Sequence, residues 1–334
     1  MFESRDPSLQ PSAYYPQWLA DIGGTHARFA WRVHEGATIS HVQVLACADY
    51  ASLLDAARSY LNQQGLNTPP CAAFGIATPI TGDAVAMTNH HWEFSVSALR
   101  EELGLHRLVV LNDFTALALS LPQLPTDHRR QVGAGQAVPQ AAIGLIGPGT
   151  GLGVSGLLPS GHGNAWIPIA GEGGHVSLSA SNALEFEVVQ QLQQRYGHAS
   201  AERVLCGAGL VDLYRALCEI EGSQGRLLHT AAEVLTQAHE ASNAQAQQTL
   251  DMFCGFLGSV AGDLALTLGA RGGVYIGGGI VPRLGERLGS SAFRSRFEAK
   301  GRYQRYLQDI PTWVIDSPVS PALLGAAQAL SPIL

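Results

Sequence analysis

Residues 18–33 read WLADIGGTHARFAWRV. Two apolar runs, Trp18–Ile22 and Arg28–Val33, flank the pair Gly23-Gly24, the pattern of two short strands joined by a tight turn. His41–Ala46 supplies a third strand for the same sheet. Tyr50–Gln64 then changes period: Leu53, Leu54, Ala57, Tyr60 and Leu61 recur at helical spacing. Buried-strand runs follow at Cys71–Ala77 and Arg107–Leu111, and strands alternating with a helix in this way indicate an α/β domain.

From about Leu121 the texture changes. A polar connection at Pro125–Arg130 leads to strands at Ala141–Ile146 and Gly153–Leu158, several helices between Ala183 and Ala270, a strand at Thr312–Ile315 and a small-residue helix at Pro321–Leu330 with Pro at its start. The chain of 334 residues exceeds the usual single-domain size. We therefore expect a loose tail over residues 1–16, a small lobe of residues 17–121 plus 317–334, and a large lobe of residues 122–316, with a ligand cleft between the lobes. Two Gly-rich strand-turn-strand units, one in each half, hint at a duplication.

Composition narrows the function. Lys plus Arg number 20 against 27 Asp plus Glu, a formal net charge of −7 with no basic run, which argues against nucleic acid as partner. Cys47, Cys71, Cys206, Cys218 and Cys254 are odd in number and widely spaced, which suits free thiols in a reducing cytoplasm better than a disulfide framework or a zinc site. Residues 1–16 lack an apolar signal core. The apolar stretch Leu250–Leu268 carries Asp251 and Asp263, so it reads as a buried helix and no membrane association is expected.

Three Gly clusters each follow an apolar strand: Asp21-Ile22-Gly23-Gly24-Thr25, Gly147-Pro148-Gly149-Thr150-Gly151-Leu152-Gly153, and Gly277-Gly278-Gly279. Glycine permits positive φ and lets a backbone N–H approach a phosphate oxygen, and Thr25 and Thr150 add hydroxyl donors. The P-loop pattern is absent, so a nucleotide must be held in another way. Asp21, ending a strand before the first turn, reads as a Mg²⁺ ligand that separates carboxylate from phosphate, or as a turn residue bonding its own backbone.

Longer segments then carry a resemblance: DIGGTHAR at 21–28, PITGDAVAMTNHHW at 79–92, NDFTALAL at 112–119, GPGTGLGV at 147–154, GEGGHVSL at 171–178, SAERVLCGAGLVDLYRA at 200–216 and GGVYIGGGIVPR at 272–283. Together they resemble the bacterial glucokinases of the hexokinase and actin-like ATPase superfamily. The resemblance implies two α/β lobes with ribonuclease-H-like mixed sheets, ATP with Mg²⁺, glucose in the cleft, a cytoplasmic enzyme and a homodimer. Carried over by residue, it implies Asp113 as catalytic base and Asn112, Asp113, Glu172, His175 and Glu202 as partners of the sugar hydroxyls. Gly23, Gly24, Thr25, Gly149, Thr150 and Gly151 match the two phosphate hairpins, with Asp21 before the first, and Gly278 and Gly279 match the adenosine motif. The family generally has Asn where this chain has His26, and Ala is commoner than Pro148.

The residue types suit the implied chemistry. A hexose hydroxyl is a poor nucleophile, and a positioned carboxylate that takes its proton contributes about 10²–10⁴ in rate. From local sequence alone Asn112-Asp113 reads as a helix N-cap, Glu202 as a surface residue of a first helical turn and His175 as a satisfied polar residue; the surrounding motifs reverse that order. The rival readings are a kinase of the same fold for mannose, fructose or an amino sugar, and a non-catalytic sugar or ATP sensor.

Overall fold

The computed structural model describes residues 1–5, 14–161, 165–223, 227–240 and 243–331. In chain order the strands are β1 (Phe2–Arg5), β2 (Gln17–Ile22), β3 (His26–Arg32), β4 (Ser40–Ala46), β5 (Cys71–Ile76), β6 (Ala84–Ala86), β7 (Glu93–Ser95), β8 (Arg107–Asn112), β9 (Arg129–Val132), β10 (Ile143–Pro148), β11 (Leu152–Pro159), β12 (Trp166–Ala170), β13 (Val274–Ile276) and β14 (Thr312–Ile315). The helices are α1 (Leu53–Gln64), α2 (Val96–Glu102), α3 (Asp113–Ser120), α4 (Ala183–Tyr196), α5 (Gly207–Ile220), α6 (Ala231–His239), α7 (Ala244–Leu268), α8 (Arg287–Ser290), α9 (Phe293–Glu298), α10 (Gln304–Gln308) and α11 (Pro321–Ala329). Two compact units result: Met1–Pro125, Ser160–Ala170 and Ser317–Leu334 form the first, Thr126–Pro159 and Gly171–Asp316 the second. The first unit thus extends a few residues beyond the sequence boundary at 121 and takes in Ser160–Ala170, which the sequence had assigned to the larger lobe.

In the first unit the sheet order is β1-β8-β5-β2-β3-β4. β2, β5 and β8 are parallel, while β3 runs antiparallel to β2 and β1 antiparallel to β8. In the second unit β11-β10-β13-β14-β9 lie in that order. There β10, β13 and β14 are parallel, with β11 and β9 antiparallel at either side. Five strands of one sheet therefore match five of the other in order and direction, β2-β3 corresponding to β10-β11. The duplication hinted at by two Gly-rich hairpins is a property of both sheets.

The first core is aromatic. Trp18 and Phe29, on neighbouring strands, meet Phe74 of β5 and Tyr60 of α1, with ring centroids 5.1–6.1 Å apart. Such rings each bury a large apolar area and favour offset or edge contacts. Helix α1 is delimited as its sequence directs: the Ser52 hydroxyl accepts the Asp55 N–H, and Gly65 closes the helix in the left-handed region. In the second unit α7 is long and apolar enough to cross a membrane by length and composition, yet most of its residues are buried in that unit's core, among them Leu250, Phe253, Phe256 and Leu257.

The expected tail is not loose throughout. Phe2–Arg5 pairs with β8 through backbone hydrogen bonds, which any side chains permit and which no apolar periodicity announces; residues 6–13 lie outside the described residues. β9 was likewise hidden in a polar connection, because it is a short strand paired to β14 alone. Arg107, 5% exposed, explains why the chain's two ends gather at β8. Its guanidinium donates to both carboxylate oxygens of Glu3, at 3.0 and 3.2 Å, and to the Leu330 carbonyl at 2.7 Å. Removing one partner of such a forked, mostly buried pair is costly. Arg107→Ala is expected to lose about 2–4 kcal/mol of unfolding free energy in a urea titration, and Arg107→Lys to recover only part, since a lysine cannot reproduce the fork.

Candidate active site

Three parallel strands of the first unit deliver their carboxyl ends in register. Asp21 on β2 pairs with Gly75 on β5, and Gly75 with Leu111 on β8; one residue on, Ile22 aligns with Ile76 and Asn112. Asp21 and Asn112-Asp113 consequently share one edge of the sheet, where open α/β sheets collect ligands. Both residues act at the start of α3. Asn112 is the N-cap, its Oδ1 accepting the N–H groups of Phe114 at 2.9 Å and Thr115 at 3.2 Å. Asp113 is the first residue of α3; its Oδ1 accepts the Phe114 N–H at 2.9 Å and the Asn112 amide at 3.0 Å.

Burial is the main reason that the Asp113 carboxyl rises from its usual range to about 6; the negative charge of Asp21 adds to it, and the hydrogen bonds from Phe114 and Asn112 oppose it. Asp21 is itself held: the Arg28 guanidinium donates to its Oδ2 at 2.8 Å, and the Ser320 hydroxyl, just before α11, donates to the same oxygen at 2.6 Å. Neither Arg28 nor Ser320 figured among the expected site residues. Arg28 was legible, because Asp21 and Arg28 face each other across the hairpin once Ile22 is paired with Ala27. Ser320 was not, lying 299 positions away in the chain. The reading of Asp21 as a Mg²⁺ ligand narrows accordingly. One oxygen is committed to Arg28 and Ser320, and among the described residues no three His, Cys, Asp or Glu gather as a metal site.

The first Gly turn is tight, with the Gly23 N–H donating to the His26 carbonyl at 2.9 Å. His26 uses only its backbone there, so the turn forms with His in place of Asn. Gly24 passes so near Asn89 that a β-carbon would lie 2.9 Å from its carbonyl oxygen.

In the second unit the turn between β10 and β11 is closed by the Gly149 N–H on the Gly151 carbonyl at 2.8 Å, and the Gly207 N–H at the start of α5 donates to the Gly149 carbonyl at 2.9 Å. Thr150, at its tip, is exposed. The third cluster packs on this turn: Gly277 N–H meets the Ile146 carbonyl at 2.9 Å and Ile280 N–H the Pro148 carbonyl at 3.3 Å. Of the glycines singled out for phosphate and adenosine contacts, only Gly278 has positive φ, +80°, and a β-carbon there would also lie 2.2 Å from the Pro148 carbonyl oxygen. Positive φ therefore applies at Gly278 alone among them, while at Gly24 and Gly278 a β-carbon would meet neighbouring backbone and at Gly151 the Glu202 carboxylate. Around Gly279 a β-carbon would meet nothing within 4 Å, leaving open space beside the cluster.

Glu172, His175 and Glu202 also belong to this unit. An isolated bridge between Ser177 and Ser200, with the Ala201 N–H on the Val176 carbonyl at 2.8 Å, lays the GEGGH segment along the start of the SAERV segment. His175 Nδ1 comes to 3.9 Å from Glu202 Oε1. The imidazole is 59% exposed and Glu172 is exposed too, whereas Glu202 is about two-thirds covered. Glu202 Oε2 accepts the Leu152 N–H at 2.8 Å, a contact the sequence did not foretell.

The family model described as Glucokinase matches residues 18–332. The chain belongs to the glucokinase family. It is 54% identical over 317 residues to a glucokinase of Aromatoleum aromaticum, an alignment covering 95% of each chain. Against the crystal structure of a glucokinase from an Antarctic psychrotroph it superposes with a TM-score of 0.85 at 36% identity, covering 94% of this chain and 98% of that one. A glucokinase of Streptomyces griseus, solved with glucose and AMPPNP, shares the fold at 19% identity and a TM-score of 0.60, over 94% and 98% of the two chains.

Proposed function

We propose that this member of the glucokinase family transfers the γ-phosphoryl group of ATP to the 6-hydroxyl of D-glucose, with Asp113 as general base. The observation that carries the reading is the Asp113 carboxyl at the carboxyl end of β8. Its pKa, near 6, leaves it ionised at neutral pH and still basic enough to take a hydroxyl proton.

Each unit supplies its own part of the machinery. In the first, Asn112 holds Asp113 through its amide, and the turn Gly23-Gly24-Thr25, half-buried at the glycines and exposed at Thr25, offers backbone and hydroxyl donors to phosphate oxygens. In the second, Gly149-Thr150-Gly151 does the same, Gly278-Gly279 borders the adenosine, and Glu172, His175 and Glu202 pair with sugar hydroxyls. Carboxylates accept, the imidazole donates or accepts, and a sugar lacking one of those hydroxyls leaves a polar group unmatched. The transition state of phosphoryl transfer is loose, so placement and charge neutralisation dominate. Mg²⁺, if bound with the nucleotide, would be held by the phosphates with Asp21 as its protein partner, directly or through water. When bound it neutralises phosphate charge. We further propose a cytoplasmic enzyme of glycolysis, acting as a homodimer.

A coupled assay with ATP and Mg²⁺ across glucose, mannose, fructose and glucosamine tests this. Glucose is expected to give the highest kcat/KM, with no turnover in EDTA. A clear preference for another hexose replaces the substrate, and turnover of none of them removes the kinase reading.

A further inference from the structure

Glu202 makes two kinds of contact through its two oxygens. Oε2 accepts the Leu152 N–H at 2.8 Å, while Oε1 faces His175 Nδ1 at 3.9 Å. The first oxygen belongs to the β10–β11 turn and the second to the sugar-recognition pair proposed above. The turn is shaped around this carboxylate: a β-carbon on Gly151 would lie 2.5 Å from Glu202 Oε2, so no other residue fits there unless Glu202 moves. The other side of the same turn is fixed by the Gly207 N–H on the Gly149 carbonyl. Glu202 is anchored in turn by a short 3-10 helix, Ala201–Arg203, whose Ser200 hydroxyl accepts the Arg203 N–H. The carboxylate and the phosphate hairpin are thus in direct contact.

We propose that Glu202 is a positioning residue for the nucleotide as well as a ligand of the sugar, and that its contact with Leu152 and Gly151 couples the two binding events within the second unit. The inference rests on the reading of Gly149–Gly151 as a phosphate turn and of Glu202 as a sugar partner. A hydroxyl that orients Oε1 also orders Oε2, which sets the Leu152 N–H and the backbone donors beside it. By linkage, each ligand raises the affinity for the other.

The discriminating readout is nucleotide affinity with no sugar present, which a residue that only binds sugar leaves unmoved. Calorimetry on the full chain with a non-hydrolysable ATP analogue and Mg²⁺ is expected to show Glu202→Ala weakened by about three- to tenfold, the worth of one hydrogen bond. Glu202→Gln, whose amide oxygen still accepts the Leu152 N–H, is expected to match the unmodified protein. Gly151→Ala, which displaces the carboxylate by contact alone, is expected to weaken glucose binding in the absence of nucleotide. Unchanged analogue affinity in Glu202→Ala overturns the proposal. So does unchanged glucose affinity in Gly151→Ala, which also decides the matter if Glu202→Ala does not fold. An unmodified protein that binds no hexose instead sinks the kinase reading, and the analogue titrations still judge the link between Glu202 and the turn.

Discussion

Asp113→Asn is expected to lower kcat by about 10²–10⁴ while leaving glucose affinity within a few-fold, because the substitution removes the proton acceptor and keeps its shape. In the unmodified enzyme the same carboxyl sets the acid limb of activity. It is protonated below about 6, so kcat/KM falls tenfold per pH unit under that point and is flat above it, whereas the residual activity of Asp113→Asn lacks the limb.

Stability runs the opposite way. A carboxyl whose folded value is raised above its unfolded value of 3.8 favours the native state while it is protonated, and that contribution is lost as pH climbs from about 4 through about 6. At pH 7 the ionised Asp113 therefore destabilises the fold, on the order of 1–3 kcal/mol. The Asn variant is expected to melt higher than the unmodified protein at pH 7 and to lose that advantage at pH 4. A pH–rate profile with no inflection near 6, or an Asn variant that melts lower at pH 7, refutes the assignment.

Gly325→Ala is expected to have the largest effect on stability of any single methyl added to the first unit. Helices α3 and α11 lie in close contact, and a β-carbon on Gly325 would fall 1.6 Å from the Ala116 carbonyl oxygen and 3.1 Å from the Ser120 N–H nitrogen. Those two groups stand four residues apart in α3, so the methyl would be driven into that helix's own backbone. Overpacking a rigid contact costs about 1–3 kcal/mol in ordinary cores, and a backbone obstacle that cannot change rotamer places this case at or above the upper end. We expect a drop of about 3 kcal/mol or more in urea unfolding, together with a fall in kcat, since α3 begins at Asp113. Gly75 supports the other face of that helix, where its β-carbon would sit 3.1 Å from the Ala116 methyl. If Gly325→Ala unfolds at the same urea concentration as the unmodified protein, the tight α3–α11 contact is not a feature of the native state.

Much of the site could be read before any coordinates. The DIGGTHAR hairpin, the Asn-Asp pair after a strand and the three Gly clusters are local signals, each a strand followed by residues whose backbone must bend or carry a ligand. Local signals survive in a linear text because turn chemistry depends on neighbours in the chain. The same text could not say how Asn112 and Asp113 share one helix start; in the structure Asn112 accepts the Phe114 and Thr115 N–H groups, and Asp113 accepts the Phe114 N–H together with the Asn112 amide. It could not show which neighbours crowd the glycines. Close approach depends on what lies opposite in space, and Asn89 beside Gly24, Glu202 beside Gly151 and Pro148 beside Gly278 are all brought in by tertiary packing.

The strands that the sequence reading missed are β1, β6, β7, β9 and β12; β1 and β9 each pair along one side at a sheet margin and β6 and β7 pair only with each other, so short backbone pairing holds them and leaves no apolar period. The contacts hidden from sequence join distant segments: Ser320 to Asp21, Arg107 to Glu3 and Leu330, Glu202 to Leu152. By itself the sequence determined most of the strands, turns and helices and singled out the candidate residues for phosphoryl transfer, since propensity and periodicity are short-range. Only the tertiary structure decided that the Asp113 carboxyl is buried and raised while Asp21 is tied to Arg28, because desolvation and charge are set by neighbours in space that the order of residues does not reveal.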